Sequence, residues 1–286
     1  MISETRKLLE MIKFEHTVFA LPFAFTGAFL GAGGFPGWLP SLWILLAMVG
    51  GRTVAMGINR IADVRFDAAN PRTSNRALVT GEVSMRGAWT MVLLAGAIYF
   101  FASFMLTPLA LKLSPLVLFV IVMYSYTKRF TAICHLFLGL AIGIAPSAGW
   151  IAVRDSIAAT PLLLSAGVMF WVAGFDILYA CQDREFDRRF GLHSIPAAIG
   201  VAGAFRVSAI FHVLAFGFFF YAGIKAELNW IYFTGIAATS IILVWQRRIL
   251  TPDDLSRMDL AFFKLNGAIS VILFAATALA LATGSL

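Results

Sequence analysis

Residues 161–181 read PLLLSAGVMFWVAGFDILYAC, an apolar run that contains one charged side chain, Asp176. The hydrocarbon core of a bilayer is about 30 Å thick and is crossed by roughly 20 apolar residues in a helix. This run is long enough to cross it, and it ends immediately before the charged stretch Gln182-Asp-Arg-Glu-Phe-Asp187. The sequence here predicts a membrane-spanning helix that carries acidic groups to one face of the bilayer.

The composition of the whole chain agrees with this prediction. Of its 286 residues, 60% are hydrophobic and 13% are charged, whereas an ordinary soluble domain has about 45–50% and about 25%. A soluble, secreted or disordered chain is excluded, because so much apolar surface would be left in water. Cys134 and Cys181 form no disulfide framework or C-x-x-C motif, and the four histidines lack the spacing of metal ligands.

Nine apolar runs separated by charged clusters predict an all-α polytopic membrane protein. We assign them to one membrane-embedded domain over residues 1–286. The predicted helices are Val18–Trp38, Leu42–Ala62, Gly87–Leu106, Leu113–Thr127, Ile133–Val153, Pro161–Cys181, Ala202–Ile224, Trp230–Trp245 and Leu265–Thr283.

Basic residues are distributed unevenly between the predicted loops. If the loops alternate between two sides, one side receives all but three of the 22 Lys and Arg residues, and the other receives only Lys112, Arg154 and Lys225. By the positive-inside rule, the N-terminus and the loops after helices 2, 4, 6 and 8 are cytoplasmic, and the C-terminus is outside. Topology therefore accounts for the formal charge of +7, and we expect no nucleic-acid partner.

Acidic residues form two similar motifs at the cytoplasmic ends of predicted helices 2 and 6. Positions i, i+4 and i+8 lie close to one face of a helix, so each motif predicts a ladder of three oxygen-bearing side chains. The first ladder is Asn59, Asp63 and Asp67, and the second is Tyr179, Asp183 and Asp187.

The ladders place negative charge at helix C-termini, where the helix dipole disfavours it, so positive charge should compensate them. One interpretation is a solvated cap in which the carboxylates pair with neighbouring arginines. The other is a metal site, since Mg²⁺ prefers oxygen ligands and takes one or two carboxylates together with substrate phosphates. The recurrence of the motif in two distant helices favours Mg²⁺ bridging a diphosphate.

Basic residues beside the ladders fit a diphosphate as well. Arg72 and Arg76 follow the first ladder, and Lys128 and Arg129 end predicted helix 4, one turn after Tyr124. Guanidinium and ammonium groups bind the phosphate oxygens that metal ions leave uncovered. Positive-inside topology also places basic residues here, so their position alone does not distinguish phosphate binding from topology.

With these motifs in nine predicted helices, the sequence resembles the UbiA superfamily of intramembrane aromatic prenyltransferases over nearly its whole length. Further similarities are the stretches Lys13–Pro22, Asn70–Leu78 and Tyr124–Arg129. Many members have Asn-Asp at the start of the first motif, whereas this chain has Asn59-Arg60, which resembles the 4-hydroxybenzoate polyprenyltransferase branch and its menaquinone-pathway relatives.

The resemblance implies nine transmembrane helices around a central cavity and transfer of a polyprenyl group from an allylic diphosphate to an aromatic acid. It implies Mg²⁺ as cofactor, an integral protein of the bacterial inner membrane, membrane lipid as surroundings and no obligate protein partner. The implied metal ligands are Asn59, Asp63, Asp67, Asp183 and Asp187. The implied catalytic residues are these four aspartates with Arg72 and Lys128, and the implied substrate contacts are Asn59, Tyr124, Arg76, Tyr179, Asp176 and Lys13.

The acceptor is the least determined part of this expectation. The branch favours 4-hydroxybenzoate on the quinone pathway, and a dihydroxynaphthoate of the menaquinone pathway is the close alternative. Asp176 lies two turns inside the membrane from Asp183, where a carboxylate orients the acceptor, accepts a proton or holds a structural hydrogen bond. A secondary transporter is the alternative from another class, although transporters place their sites near the bilayer midplane.

The predicted topology is tested by introduced cysteines. Cysteine in place of Ser74, in the loop after helix 2, should react with a membrane-impermeant reagent only from the cytoplasmic face, and cysteine in place of Ser156 only from the outside. The unmodified chain gives the background from its own two cysteines. The opposite labelling pattern would overturn the orientation.

Overall fold

The computed structural model describes residues 20–258 and 260–284, without the side chains of Phe262 and Phe263. Lys13 and the start of the first predicted helix at Val18 lie outside the described residues. Within them the regular structure is helical, apart from one bridge between Thr251 and Asp254. The all-α prediction is confirmed.

Nine helices of 12 to 32 residues occupy the nine predicted regions in the part of the chain that the structure describes. A 3₁₀ turn at Cys181–Asp183 and a short helix at Arg184–Arg189 follow the sixth of them. The nine helices are α1 Leu21–Ala32, α2 Trp38–Ala69, α3 Met85–Leu106, α4 Pro108–Thr127, α5 Cys134–Arg154, α6 Ala159–Ala180, α7 Ile195–Lys225, α8 Trp230–Ile249 and α9 Asn266–Ala282.

Several helix ends differ from the prediction. The first helix ends at Ala32 because Gly33 takes a left-handed conformation with φ 72°, and α2 begins at Trp38. Helix α2 then continues to Ala69, so its 32 residues extend about 48 Å at 1.5 Å per residue. This exceeds the thickness of the hydrocarbon core, so α2 carries the whole first ladder out to the interface.

Two later helices begin earlier than predicted because each has a cap in front of an N-terminal proline. The Thr107 hydroxyl accepts a hydrogen bond from the Ala110 amide at 3.2 Å and starts α4. The Ser194 hydroxyl accepts from the Ala197 amide at 3.3 Å and starts α7, which is kinked at Gly200 (φ 78°, ψ 171°), two residues before the predicted start at Ala202. Such caps satisfy amides that have no partner within the helix.

The chain is an integral membrane protein. Six of the described helices are long and apolar enough to cross a bilayer, namely α2 to α7, with α6 counted together with its extension to Arg189. Helices α1 and α9 are shorter apolar segments over their described lengths. The number of nine crossings therefore stays a prediction.

Close helix packing surrounds the interior. At Gly149 of α5, a Cβ atom would lie 1.8 Å from the Ala24 carbonyl oxygen of α1, so only glycine allows this approach. Phe23 of α1 meets Trp171 of α6 edge to face at 5.4 Å between ring centroids. Large apolar side chains such as Val213 of α7 are exposed, as expected of a surface that faces lipid.

Candidate active site

A cavity of about 640 Å³ is lined by the six helices α1 to α6 and by the loops between them. It is lined by residues from Ala20 to Leu192, so α7, α8 and α9 do not contribute to its wall. All predicted site residues within the described part of the chain line this one cavity: Asn59, Asp63, Asp67, Arg72, Arg76, Tyr124, Lys128, Asp176, Tyr179, Asp183 and Asp187.

The first ladder lies on an unbroken helix, as its spacing predicts. The Asn59 amide donates a hydrogen bond to the Asp63 carboxylate at 3.0 Å, across one turn of α2. Asp67, one turn further, is buried. The three side chains therefore present their oxygens along one wall of the cavity.

The second ladder does not lie on a continuous helix, so that prediction is wrong. Helix α6 ends at Ala180, and the 3₁₀ turn separates Tyr179 from Asp187 on the short helix. Asp183 has φ −99° and ψ 4°, outside the helical region. Asn70 and Arg72, in the loop after α2, donate hydrogen bonds to this carboxylate. These tertiary contacts hold Asp183 in its non-helical conformation.

The loop after α2 joins the two ladders. The Asn70 amide donates to Asp183 Oδ1 at 3.1 Å, and Arg72 Nε donates to the same oxygen at 2.9 Å. Arg72 Nη2 also donates to Asp183 Oδ2, which makes the pair bidentate. Its Nη1 donates to the Tyr179 hydroxyl at 3.1 Å. The role of Asn70 was not predicted.

Each of the other three ladder aspartates also has a basic partner. Arg76 Nη1 lies 2.5 Å from Asp67 Oδ2, and Arg129 Nη2 lies 3.7 Å from Asp63 Oδ1. The pairing expected of a cap is thus present. We call the four aspartates and their partners the charged rim: Asp63–Arg129, Asp67–Arg76, Asp183–Arg72 and Asp187–Lys128.

Asp187 has the most enclosed carboxylate of the charged rim. Its side chain has no exposed surface, Lys128 Nζ lies 2.8 Å from Oδ1, and the Ser194 hydroxyl donates to Oδ2 at 2.8 Å. Burial opposes the charge on Lys128, but the adjacent Asp187 carboxylate outweighs it and raises the pKa of the ammonium above its usual value. Lys128 therefore stays charged at the mouth of the cavity.

The ladder oxygens suit a metal ion that arrives with a phosphate ligand. No three His, Cys, Asp or Glu side chains converge on one point among the described residues. A cage built from protein ligands alone is therefore absent from this part of the chain. Mg²⁺ does not require one, because it commonly combines one or two carboxylates with substrate phosphates and water. The hard oxygens lining the cavity fit that pattern.

Three further groups in the cavity wall were not predicted. Arg52 and Arg60 of α2 both line the cavity, and Arg60 is buried. His135 of α5 is also buried, and its Nδ1 lies 2.7 Å from Asp176 Oδ2. In the sequence Arg52 indicates only topology, and Arg60 indicates topology and the family branch, so neither is assigned to the cavity. His135 gives no signal there, because its sequence neighbours contain no second ligand.

The chain belongs to the UbiA prenyltransferase family, whose model matches residues 20–268, and it is a transferase. It is 32% identical to the 4-hydroxybenzoate octaprenyltransferase of Aromatoleum aromaticum over 86% of this chain and 83% of that protein. The apo structure of a UbiA homolog from Aeropyrum pernix is 37% identical, with a TM-score of 0.84 over 92% of this chain and 96% of that one.

A UbiA homolog from Archaeoglobus fulgidus, solved bound to DMAPP and Mg²⁺, shares the same fold. Its TM-score is 0.75 at 21% identity, over 97% of this chain and 100% of that chain. These likenesses confirm the family resemblance and the UbiA-like fold.

The Lys128–Asp187 pair can be tested through stability. Lys128→Met leaves a buried carboxylate without its partner, and we expect it to lower the free energy of unfolding in detergent. The expected loss is roughly 1–3 kcal/mol, because Lys128 is one-third exposed and a fully buried pair costs about 3–5 kcal/mol when broken. The double variant Lys128→Met/Asp187→Asn should recover part of this loss. An equal loss of unfolding free energy in the single and the double variant would contradict the pairing of Lys128 with Asp187.

Proposed function

We propose that the chain transfers a polyprenyl group from an allylic polyprenyl diphosphate to 4-hydroxybenzoate in quinone biosynthesis. The observation that carries this proposal is the shape of the cavity, in which a rim of paired charges leads directly into an apolar interior. A prenyl diphosphate has the same division, with an anionic head and a hydrocarbon tail. The names of relatives at about 30% identity support the same reaction.

The charged rim is the part suited to the diphosphate. Arg72, from the loop after α2, and Lys128, at the end of α4, each pair with an aspartate of the second ladder, and both side chains are about one-third exposed. When the donor binds, their N–H groups are available to phosphate oxygens, with Tyr124 one turn below Lys128. Such contacts stabilise the negative charge that grows on the leaving diphosphate.

Mg²⁺ is the proposed cofactor, and Asn59, Asp63, Asp67, Asp183 and Asp187 are the residues that would hold it. When bound, it supplies positive charge that neutralises the diphosphate and so favours cleavage of the allylic carbon–oxygen bond. The carboxylates of each ladder are paired with Arg or Lys. A cation on the carboxylates would release those basic groups to the phosphate oxygens.

The apolar interior is suited to the allylic cation that this cleavage leaves behind. Trp171, Phe175 and Leu138 line it, and they keep water from the cation. Aromatic faces also attract positive charge. The bonding electrons of the broken bond leave with the diphosphate, and a ring carbon of the acceptor supplies the pair that forms the new carbon–carbon bond.

Two arginines that line the cavity, Arg52 and Arg60, offer positive charge to the carboxylate of the acceptor. Arg52 lies seven residues before Asn59 on α2, about 10 Å further from the charged rim, and its buried Nε has no hydrogen-bond partner among the described residues. A guanidinium with a buried N–H group favours an anionic ligand. Arg52 is thus placed to hold the acceptor carboxylate below the diphosphate, with Arg60 between them on the same helix.

We also propose that residues 1–286 form a single membrane-embedded domain in the bacterial inner membrane. The uneven distribution of basic residues supports a cytoplasmic N-terminus and charged rim, and an external C-terminus.

Lys13 is also proposed to contact the diphosphate donor. Its variant Lys13→Met should raise the KM for the diphosphate donor, and an unchanged KM would remove Lys13 from the site.

The metal and the ladders are tested together by turnover. Asp63→Asn and Asp183→Asn should each lower kcat by at least roughly 100-fold, because each removes stabilisation of the developing charge. Excess chelator should abolish wild-type turnover, and added Mg²⁺ should restore it. The exposed residue Asp253 provides a matched control, since Asp253→Asn should leave kcat unchanged. Normal kcat values in both ladder variants would show that the ladders are charge-paired caps and do not hold the metal.

The acceptor is tested by direct competition. Purified enzyme should prenylate 4-hydroxybenzoate faster than a dihydroxynaphthoate under the same donor conditions, because a pocket shaped for one ring excludes a second ring sterically. Product mass identifies which acid has reacted. A clear preference for the naphthoate would overturn the 4-hydroxybenzoate assignment and leave the donor and the metal intact. No product with any aromatic acid would contradict the transfer itself.

A further inference from the structure

A histidine–aspartate pair lies in the cavity wall away from the charged rim. His135 Nδ1 of α5 lies 2.7 Å from Asp176 Oδ2 of α6, and the Ile195 amide donates to His135 Nε2 at 3.3 Å. Nε2 faces the Ile195 amide, so Nδ1 is the nitrogen that donates to Asp176. Tight burial of His135, with 2% of the residue exposed, fixes this orientation.

Asp176 differs from the other acidic residues of the cavity. Five aspartates line it, and the four in the charged rim are each paired with Arg or Lys. The side-chain partner of Asp176 in the described structure is His135, which contacts Oδ2 alone, whereas Arg72 contacts both oxygens of Asp183. The carboxylate thus keeps acceptor capacity toward the cavity, where 21% of its side chain is exposed.

The depth of Asp176 is also distinctive. It precedes Asp183 by seven residues, through the last turn of α6 and the 3₁₀ turn, which is about 10 Å along the chain. The diphosphate belongs at the rim, so the reacting carbon of the donor and the acceptor ring must lie deeper. Asp176 is the acidic residue of the cavity wall at that depth, facing the same space as Arg52.

We infer that Asp176 is the base that removes the ring proton, and that His135 is the positioning residue that holds it. This inference rests on the proposed function. Formation of the carbon–carbon bond leaves the attacked ring carbon with both a hydrogen and the new prenyl substituent. The proton passes to an Asp176 oxygen, and the carbon–hydrogen electron pair restores the aromatic ring. The neutral carboxylic acid then returns its proton to solvent after the products leave.

The pair suits this task for physical reasons. A carboxylate in an apolar cavity gains a favourable driving force for accepting a proton, because the neutral acid costs less to bury than the anion. The hydrogen bond from His135 orients the carboxylate through one oxygen, whereas Arg72 occupies both oxygens of Asp183. Helices α5 and α6 pack together, and the Ile195 amide at the start of α7 anchors the imidazole. The base is therefore held in place before the acceptor arrives.

The experiment is a ring-hydrogen isotope effect. The substrate is 4-hydroxybenzoate deuterated at the ring positions beside the hydroxyl, compared with the unlabelled acid. We expect an effect on kcat near unity in the wild type, where ionisation limits the rate. Asp176→Asn should lower kcat by at least about 100-fold, the scale of lost general-base catalysis, with little change in either KM, and the isotope effect should rise clearly above unity. Proton removal has then become limiting.

His135 is tested in parallel. His135→Leu should lower kcat by roughly 10- to 100-fold through a misplaced carboxylate, again with a raised isotope effect. His135→Asn keeps an N–H donor near the position of Nδ1 and should recover part of the rate. Asp176→Glu, which retains a displaced carboxylate, is measured as well and should show an intermediate rate with a raised isotope effect. Asp176→Glu replaces Asp176→Asn as the test of the base if Asp176→Asn does not fold.

Three outcomes would overturn the inference. A wild-type kcat in Asp176→Asn would exclude the carboxylate as base. A raised KM for the acid with an unchanged isotope effect would make Asp176 an acceptor-binding residue. A loss of activity in Asp176→Glu with the isotope effect still near unity would make the pair structural. If the wild type itself prenylates no aromatic acid, the proposed function fails, and this outcome is distinct because it appears before any substitution.

Discussion

The site depends on one contact, the bidentate pair between Arg72 and Asp183. Helix α2 packs mainly on α3, whereas α6 packs on α5 and α7, and α4 lies between the two groups in contact with α2 and α5. The loop after α2 crosses between them, and Asn70 and Arg72 hold the end of α6 from that loop. This crossing makes two distant acidic motifs into one charged rim above a single cavity.

The charged rim also shows how so much charge is accommodated next to hydrocarbon. An isolated carboxylate in a low-dielectric region is costly to bury, and pairing with a hydrogen-bonded cation offsets much of that cost. Each rim aspartate has a basic partner, although Arg129 lies 3.7 Å from Asp63 and is not hydrogen-bonded to it, and Asp187 has a hydroxyl donor as well. Under the proposed function, the basic groups of these pairs bind the diphosphate when Mg²⁺ binds the carboxylates.

The positions of the helices could be predicted from the sequence, because runs of about 20 apolar residues between charged clusters are typical of helices in a bilayer. The prediction failed where local conformation is decided by glycine or by tertiary contacts. Gly33 ends the first helix early. In the second ladder, Asp183 contacts a distant loop and lies in the 3₁₀ turn after the end of α6. The four ladder aspartates were predicted from their spacing, and Arg72, Arg76, Lys128 and Arg129 from their position beside the ladders, whereas Arg52 and Arg60 were not predicted. The partner of each ladder aspartate was not predicted, because the pairs join positions up to 111 residues apart.

His135 shows why the rest could not be predicted. Its sequence neighbourhood is an ordinary apolar helix start, and its importance comes from Asp176 on the next helix and from an amide at the start of α7. The contrast with the charged rim is chemical. Arg72 contacts both oxygens of the Asp183 carboxylate, whereas His135 contacts only one oxygen of Asp176. The cavity therefore contains two kinds of carboxylate, one suited to binding an anion through cations and one suited to accepting a proton.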